Sequence, residues 1–235
     1  MNDTQIVILV GGKGTRLHPI TTKIPKPMVE INGIPFLEIL INMLKQKGFS
    51  KFLFLAGYLN HLILEHFGNG QKFDCTIQYS IEKRLLGTAG ALKQAEKLLE
   101  SEFILLNGDT FLDLDYVDLV NSAKYFDKIC TMVCYHDISS NNLQNNLQLS
   151  HSNLLLNYSK YDLKAEFNAI DSGVYYVKKE ILNSIPNGYW ELEKNVFQDL
   201  IENNQLAGYL TTTRFYDIGT FQILNIFQNY TKSKN

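Results

Sequence analysis

The run Gln5-Ile6-Val7-Ile8-Leu9-Val10-Gly11-Gly12-Lys13-Gly14-Thr15-Arg16-Leu17 decides how the chain reads. Its first half is a short apolar stretch rich in Ile and Val, the pattern of a buried strand. Its second half breaks that strand with three glycines. Glycine lets a backbone approach a phosphate closely, and successive N–H groups can cradle its oxygens. Lys13 and Arg16 add positive charge. Open α/β sheets place ligands at the carboxyl ends of their strands, so Gly11, Gly12 and Gly14, flanked by Val10 and Thr15, read as a phosphate loop. The run lacks the Gly-Lys-Ser/Thr ending of a Walker loop, and Leu17 stands where GxGxxG has its last glycine. Taken alone, the segment also fits an ordinary glycine-rich turn.

Outward from this stretch, the first half of the chain repeats the alternation. Short apolar runs at Phe52 to Ala56, Thr76 to Tyr79 and Phe103 to Leu106 read as strands. Pro35 to Lys47, Asn60 to Phe67 and Thr88 to Leu99 read as helices, the first stopped by Gly48. Alternating strand and helix predict right-handed βαβ units, hence an α/β fold with a Rossmann-like, mostly parallel sheet flanked by helices. The second half is less regular. Ile129 to Tyr135 and Ile170 to Val177 read as strands, the Asn-rich stretch Asn141 to Asn157 as a hairpin or an irregular pair of short strands, and Glu191 to Glu202 and Phe221 to Tyr230 as helices. No linker interrupts the chain, so a single domain over 1–235 is expected, with halves at about 1–125 and 126–235.

Composition narrows the function classes. The 235 residues carry 22 Lys plus Arg against 24 Asp plus Glu, a net charge of -2. A general nucleic-acid binder carries a basic excess, so polyphosphate must be met here by local charge. Three cysteines without a CxxC pair exclude a disulfide framework. Cys130 and Cys134 share one face of a strand and read as buried thiols. The N-terminal run has no basic n-region and no stretch is long enough for a membrane span, so the expected location is cytoplasmic, with no membrane or nucleic-acid partner.

Two further features carry chemistry. Ile24-Pro25-Lys26-Pro27-Met28 sets a lysine between prolines, which predicts Lys26 on a stiff, extended backbone, a rigidity useful to a lysine aimed at a phosphate. Asp109 follows an apolar run and the flexible pair Asn107-Gly108, at a strand end. Asp217 precedes Ile218-Gly219. A magnesium ion takes one or two carboxylates plus phosphates and water, and these two fit, although each Asp-plus-Gly alone also reads as a turn or cap. Asp113-Leu114-Asp115 looks like the DxD motif of glycosyltransferases but reads better as a helix cap before Tyr116.

Taken in register, Gly11 to Leu17, Pro19 and Pro25 to Met28 resemble the sugar-phosphate nucleotidyltransferases, the sugar-nucleotide pyrophosphorylases. Leu86-Gly87-Thr88-Ala89-Gly90, Leu106-Asn107-Gly108-Asp109 and Tyr216-Asp217-Ile218-Gly219-Thr220 resemble further blocks of that family. Leu192-Glu193-Lys194-Asn195-Val196-Phe197, together with Ser80-Ile81-Glu82-Lys83, resembles the mannose and heptose 1-phosphate guanylyltransferases. The resemblance spans about residues 5 to 225 and implies a reaction between a nucleoside triphosphate and a sugar 1-phosphate, with pyrophosphate released. It implies nucleotide contacts from Val10, Gly11, Gly12, Gly14, Thr15, Glu82, Gly87 and Thr88, and catalytic roles for Arg16, Lys26 and Asp109. It implies Mg²⁺ on Asp109 and Asp217, and a smaller sugar-binding lobe with Lys160, Asp171, Gly173 and Glu193. A homodimer is one candidate assembly. This sequence departs from the family on the sugar side: Ser159 precedes Lys160 where a Glu is usual, no Tyr-Gly element stands in Asn141 to Leu149, and Asp171 replaces an Asn. The competing readings are a uridylyl- or thymidylyltransferase of the same fold, a glycosyltransferase, and a non-catalytic nucleotide sensor. No second catalytic domain is expected.

Overall fold

A computed structural model describes residues 3–136, 144–159 and 166–234. In chain order the elements are β1 (Gln5–Leu9), β2 (Glu30–Ile31), β3 (Ile34–Pro35), α1 (Phe36–Gln46), β4 (Lys51–Ala56), α2 (Asn60–Phe67) and β5 (Thr76–Ile81). They continue with α3 (Gly87–Gln94), β6 (Glu102–Asn107), β7 (Thr110–Phe111), α4 (Tyr116–Phe126), β8 (Cys130–Tyr135), β9 (Leu147–Leu149) and β10 (Leu155–Tyr158). Last come β11 (Ile170–Lys178), α5 (Phe197–Glu202), β12 (Leu206–Thr211), β13 (Tyr216–Asp217) and α6 (Phe221–Lys234). The strand order is β12-β8-β11-β6-β1-β4-β5 in one seven-stranded sheet. This is the mostly parallel, Rossmann-like sheet that the alternation predicts.

The chain divides into two compact units, each discontinuous in sequence. Unit 1 comprises Met1–Leu85, Leu106–Phe111 and Tyr216–Asn235. In it β1 runs parallel to β4, Ile6 opposite Phe52, and β4 runs parallel to β5. Ile6, Val7 and Ile8 are fully buried, as a strand covered on both faces requires. α1 buries Phe36, Leu37, Leu40, Ile41, Met43 and Leu44. It stops at Gly48, whose φ of 92° no β-carbon favours. Gly48 N–H donates to the Lys45 carbonyl at 2.8 Å and Phe49 N–H to that of Leu44 at 3.2 Å, a Schellman closure. α6 packs Phe227 against Phe36, Phe111 and Tyr216.

Unit 2 comprises Leu86–Leu105 and Leu112–Phe215. Here β12 runs parallel to β8, and β11 antiparallel to it with a bulge between Asp171 and Tyr175. Cys130 and Cys134 are both buried on β8. β9 and β10 form the hairpin expected from the Asn-rich stretch, of which residues 141–143 lie outside the described residues.

Three helices differ from expectation, among them α6, which runs past Tyr230 to Lys234. α3 ends at Gln94, not Leu99, although Leu92, Ala95 and Leu99 are all buried. Apolar periodicity reports burial, and the chain keeps that burial through tighter turns, with Leu98 N–H donating to the Ala95 carbonyl at 2.8 Å. The Glu191 to Glu202 stretch opens with a π-helical turn over Leu192–Val196 before α5. Among the described residues no helix is long and apolar enough to cross a membrane.

Candidate functional site

In unit 1 the Gly-rich run leaves β1 as a tightly pinned loop. Val10 N–H donates to the Leu55 carbonyl at 2.9 Å. A β-carbon on Gly11 would stand 3.3 Å from Glu82 Oε1 and from the Gly57 nitrogen, so the Glu82 carboxylate packs against this backbone. Gly14 has φ 61°, and a β-carbon there would meet that of Lys26 at 2.8 Å. Thr21, fully buried, donates its hydroxyl to the Gly14 carbonyl at 2.8 Å. Gly12 is different: nothing lies where its β-carbon would be, so packing does not demand a glycine. Thr15, Arg16 and Leu17 form a 3₁₀ turn that buries Leu17 and leaves Thr15 and Arg16 exposed.

Lys26 is 7% exposed. The expected extended backbone is found at Pro25 and not at Lys26. Lys26 itself opens a 3₁₀ turn, closed by Met28 N–H to the Pro25 carbonyl at 2.8 Å and Val29 N–H to the Lys26 carbonyl at 3.1 Å. Pro27 suits that turn because its fixed φ lies in the helical range. The ammonium donates to Asp109 Oδ2 and, at 3.2 Å, to Asp217 Oδ1. Arg16 Nη2 lies 3.7 Å from Asp217 Oδ2. Two cations and two carboxylates thus converge, as a buried charge requires.

The β7–β13 ladder creates this convergence. It sets Asp217 opposite Thr110 and Tyr216 opposite Phe111. Ile218 N–H donates to the Asp109 carbonyl at 3.0 Å. The rings of Phe111 and Tyr216 are clamped by Phe227, so α6 holds the ladder from behind. Gly108, expected to be flexible, is fixed: its N–H donates to the Leu9 carbonyl at 3.0 Å, and a β-carbon would stand 2.6 Å from that oxygen. Close backbone approach, not mobility, explains the glycine. Sequence reading missed Thr21 and Gly219. Gly219 N–H donates to Asp217 Oδ1 at 2.8 Å, and a β-carbon there would lie 2.6 Å from Arg16 Nη2. Its signals were the Asp-x-Gly spacing and its place in the Tyr216 to Thr220 block.

Unit 2 gathers the remaining described residues. Gly87, at φ 71°, leaves no room for a β-carbon beside the Trp190 carbonyl. The Thr88 hydroxyl accepts from Leu192 N–H at 2.8 Å. Asp171 Oδ2 accepts from the hydroxyls of Tyr158 at 3.0 Å and Tyr175 at 2.8 Å, and its Oδ1 from Gly173 N–H at 2.8 Å. Burial first, and the Asp171 carboxylate second, push both hydroxyls well above the usual tyrosine range. Glu193 is half-buried and adds to that shift at Tyr158. Gly173, at φ 74°, supplies the bulge in β11. Lys160 lies outside the described residues.

Asp115 settles the DxD question. Its Oδ1 accepts from Val117 N–H at 3.0 Å and Asp118 N–H at 3.1 Å, which is an N-cap on α4.

With this geometry in place, residues 5–143 match the family model described as Nucleotidyl transferase. The chain is 33% identical over 201 residues to the D-glycero-alpha-D-manno-heptose 1-phosphate guanylyltransferase of Campylobacter jejuni, covering 85% of this chain and 86% of that protein. It is 30% identical over 225 residues to the Bifunctional protein GlmU of Methanococcus maripaludis, covering 91% of this chain but only 51% of that protein. The crystal structure of HddC from Yersinia pseudotuberculosis complexed with GMP-PN aligns with a TM-score of 0.80 at 28% identity, over 97% of this chain and 99% of that one. A Bacillus anthracis structure with a TM-score of 0.85 at 17% identity shares the fold. The matched segment begins on β1, carries the pinned glycine loop, Lys26 and Asp109, and agrees with relatives along most of the chain: this protein belongs to the nucleotidyl transferase family.

Proposed function

We propose that the chain joins GTP to a manno-configured sugar 1-phosphate, forming a nucleotide-sugar and releasing pyrophosphate. D-glycero-D-manno-heptose 1-phosphate is the first candidate and mannose 1-phosphate the second. The observation that carries the reaction class is the meeting of Arg16, Lys26, Asp109 and Asp217 around one point in unit 1. The choice of base and sugar is supported by the Campylobacter jejuni relative and by a mannose-1-phosphate guanyltransferase of Gibberella zeae, 30% identical over 219 residues.

The chemistry asked of the protein is modest. A phosphate monoester is largely dianionic near pH 7, with a second pKa of about 6, so the attacking oxygen needs no general base. The barrier lies in bringing two polyanions together, and charge neutralisation with alignment lowers it. The amides around Gly11, Gly12 and Gly14 cradle the triphosphate, and the open space at Gly12 leaves room for that approach. Arg16, exposed and held near Asp217, neutralises the departing pyrophosphate. Lys26 holds its charge on the phosphates from a buried, fixed stem. Glu82 and Gly87 serve the nucleoside side, whereas the Thr88 hydroxyl is engaged by Leu192 N–H. Lys160, Asp171, Gly173 and Glu193 serve the sugar side. Asp109 and Asp217 fit Mg²⁺: two carboxylate groups share a single cation in the structure, and magnesium takes its other ligands from phosphates and water. That ion, when bound, supplies further positive charge to the reacting phosphates.

The test is pyrophosphate release with Mg²⁺ over a grid of nucleoside triphosphates and sugar 1-phosphates. Release with GTP and a manno-configured partner is expected. Release with UTP or dTTP and another sugar keeps the reaction class and overturns the substrate choice. Folded protein that releases none overturns the reading.

A further inference from the structure

The start of α3 is tied to a distant part of unit 2. A helix N-terminus leaves backbone N–H groups without intrahelical partners. Here those of Ala89 and Gly90 donate to the Trp190 carbonyl at 3.0 and 3.1 Å, and Trp190 N–H donates back to the Leu86 carbonyl at 2.8 Å. The Thr88 hydroxyl takes the Leu192 N–H at 2.8 Å. At Gly90 a β-carbon would strike the Gly188 carbonyl, as one at Gly87 would strike that of Trp190. The turn at 86–90 and the segment at 188–192 are therefore one hydrogen-bonded piece.

The connection continues. Gln198 Nε2 donates to the Glu193 carbonyl at 3.3 Å and to the Tyr158 carbonyl at 3.0 Å. The Tyr158 hydroxyl reaches Asp171, which Tyr175 and Gly173 also hold. A run of hydrogen bonds thus leads from Thr88 past Glu193 to Asp171. Leu192 is buried and its bond to Thr88 is part-buried, so removing the Thr88 hydroxyl takes the partner from the N–H at the first residue of the π-helical turn that carries Glu193.

We propose that Thr88 is a positioning residue for the sugar side: its hydroxyl fixes where the Leu192–Glu193 segment stands, so its loss is felt by the sugar 1-phosphate and not by the nucleotide. This rests on the guanylyltransferase reading for its kinetic consequence, but the link itself is a property of the fold. The experiment compares Thr88→Val, which keeps the shape and removes the hydroxyl, with Thr88→Ser, which restores it. Two quantities are measured: KM for each substrate by pyrophosphate release, and amide hydrogen exchange at Leu192. Thr88→Val should raise KM for mannose or heptose 1-phosphate about three- to tenfold, with KM for GTP within about twofold of wild type. Leu192 exchange should accelerate in Thr88→Val and return to the wild-type rate in Thr88→Ser. A rise confined to KM for GTP makes Thr88 a nucleotide ligand and overturns the proposal. Unchanged exchange at Leu192 in Thr88→Val overturns it as well. Wild-type protein inactive on every substrate pair fails the functional reading alone, and the exchange comparison then decides the link.

Discussion

Gly108 and Gly219 both lack room for a side chain, but different atoms fill the space. At Gly108 the obstacle is the Leu9 carbonyl on β1, which is backbone. Gly108→Ala must therefore move a core strand, at about 1–3 kcal/mol, with a melting temperature lower by roughly 3–10 °C. At Gly219 the nearest obstacle is the end of Arg16, a flexible and exposed side chain, with Asp217 Oδ1 next at 2.9 Å. Gly219→Ala should leave the melting temperature near wild type and lower turnover about tenfold, because Arg16 is displaced from its partner. Equal thermal losses in the two variants would contradict this division. Asp109→Ala isolates the charge itself. It should lower pyrophosphate release by about 10²-fold or more while the circular dichroism spectrum is kept, since the side chain sits at a strand end and not in the core. Near wild-type turnover would remove Asp109 from the reaction. Asp109 and Asp217 were legible as acidic residues beside glycines. What was not legible is that Lys26 touches both, because no local pattern reports a contact across so much chain.

At the scale of elements, α4 separates two readings of one motif. Asp115 caps the helix through two backbone N–H groups. Asp115→Ala should cost about 1 kcal/mol, or roughly 2–4 °C in melting temperature, with turnover unchanged. A large loss of turnover with an unchanged melting temperature would return Asp115 to the chemistry and reopen the glycosyltransferase reading. Elements whose ends are set by local chemistry were readable: α1 stops where Gly48 stops it, and α2 runs over the same residues as its pattern. α3 was overextended because Ala95 and Leu99 are buried without being helical. The π-helical turn at Leu192 was not legible in the apolar period, and its first N–H is held by Thr88 from far along the chain.

For the whole molecule, the buried ionisable groups set an alkaline limit. Burial raises the pKa of Cys130, Cys134, Tyr116, Tyr158 and Tyr175 in the folded chain, with Asp171 adding to four of these shifts and Asp113 to that of Tyr116. Unfolded, these groups lose protons near pH 8.5 for Cys and 10 for Tyr. The unfolded chain therefore binds fewer protons than the folded one above those values, and stability falls as pH rises. The urea midpoint should be flat from pH 7 to about 8 and drop steadily beyond about pH 9. A midpoint unchanged at pH 10.5 would mean that these groups are not protected by folding. The sequence by itself determined the alternation of strand and helix, the glycine loop after β1, the N-cap of α4 and the acidic residues at strand ends. Each of these is a short-range pattern, fixed by backbone sterics, apolar period or turn chemistry within a few residues. Only the tertiary structure decided that β7 pairs with β13, that Lys26 is shared between two carboxylates, that Gly108 is a point of close approach, and that Thr88 binds Leu192. Those pairings join segments far apart in the chain, and the packing of α6 and the sheet order that bring them together are properties of the folded core.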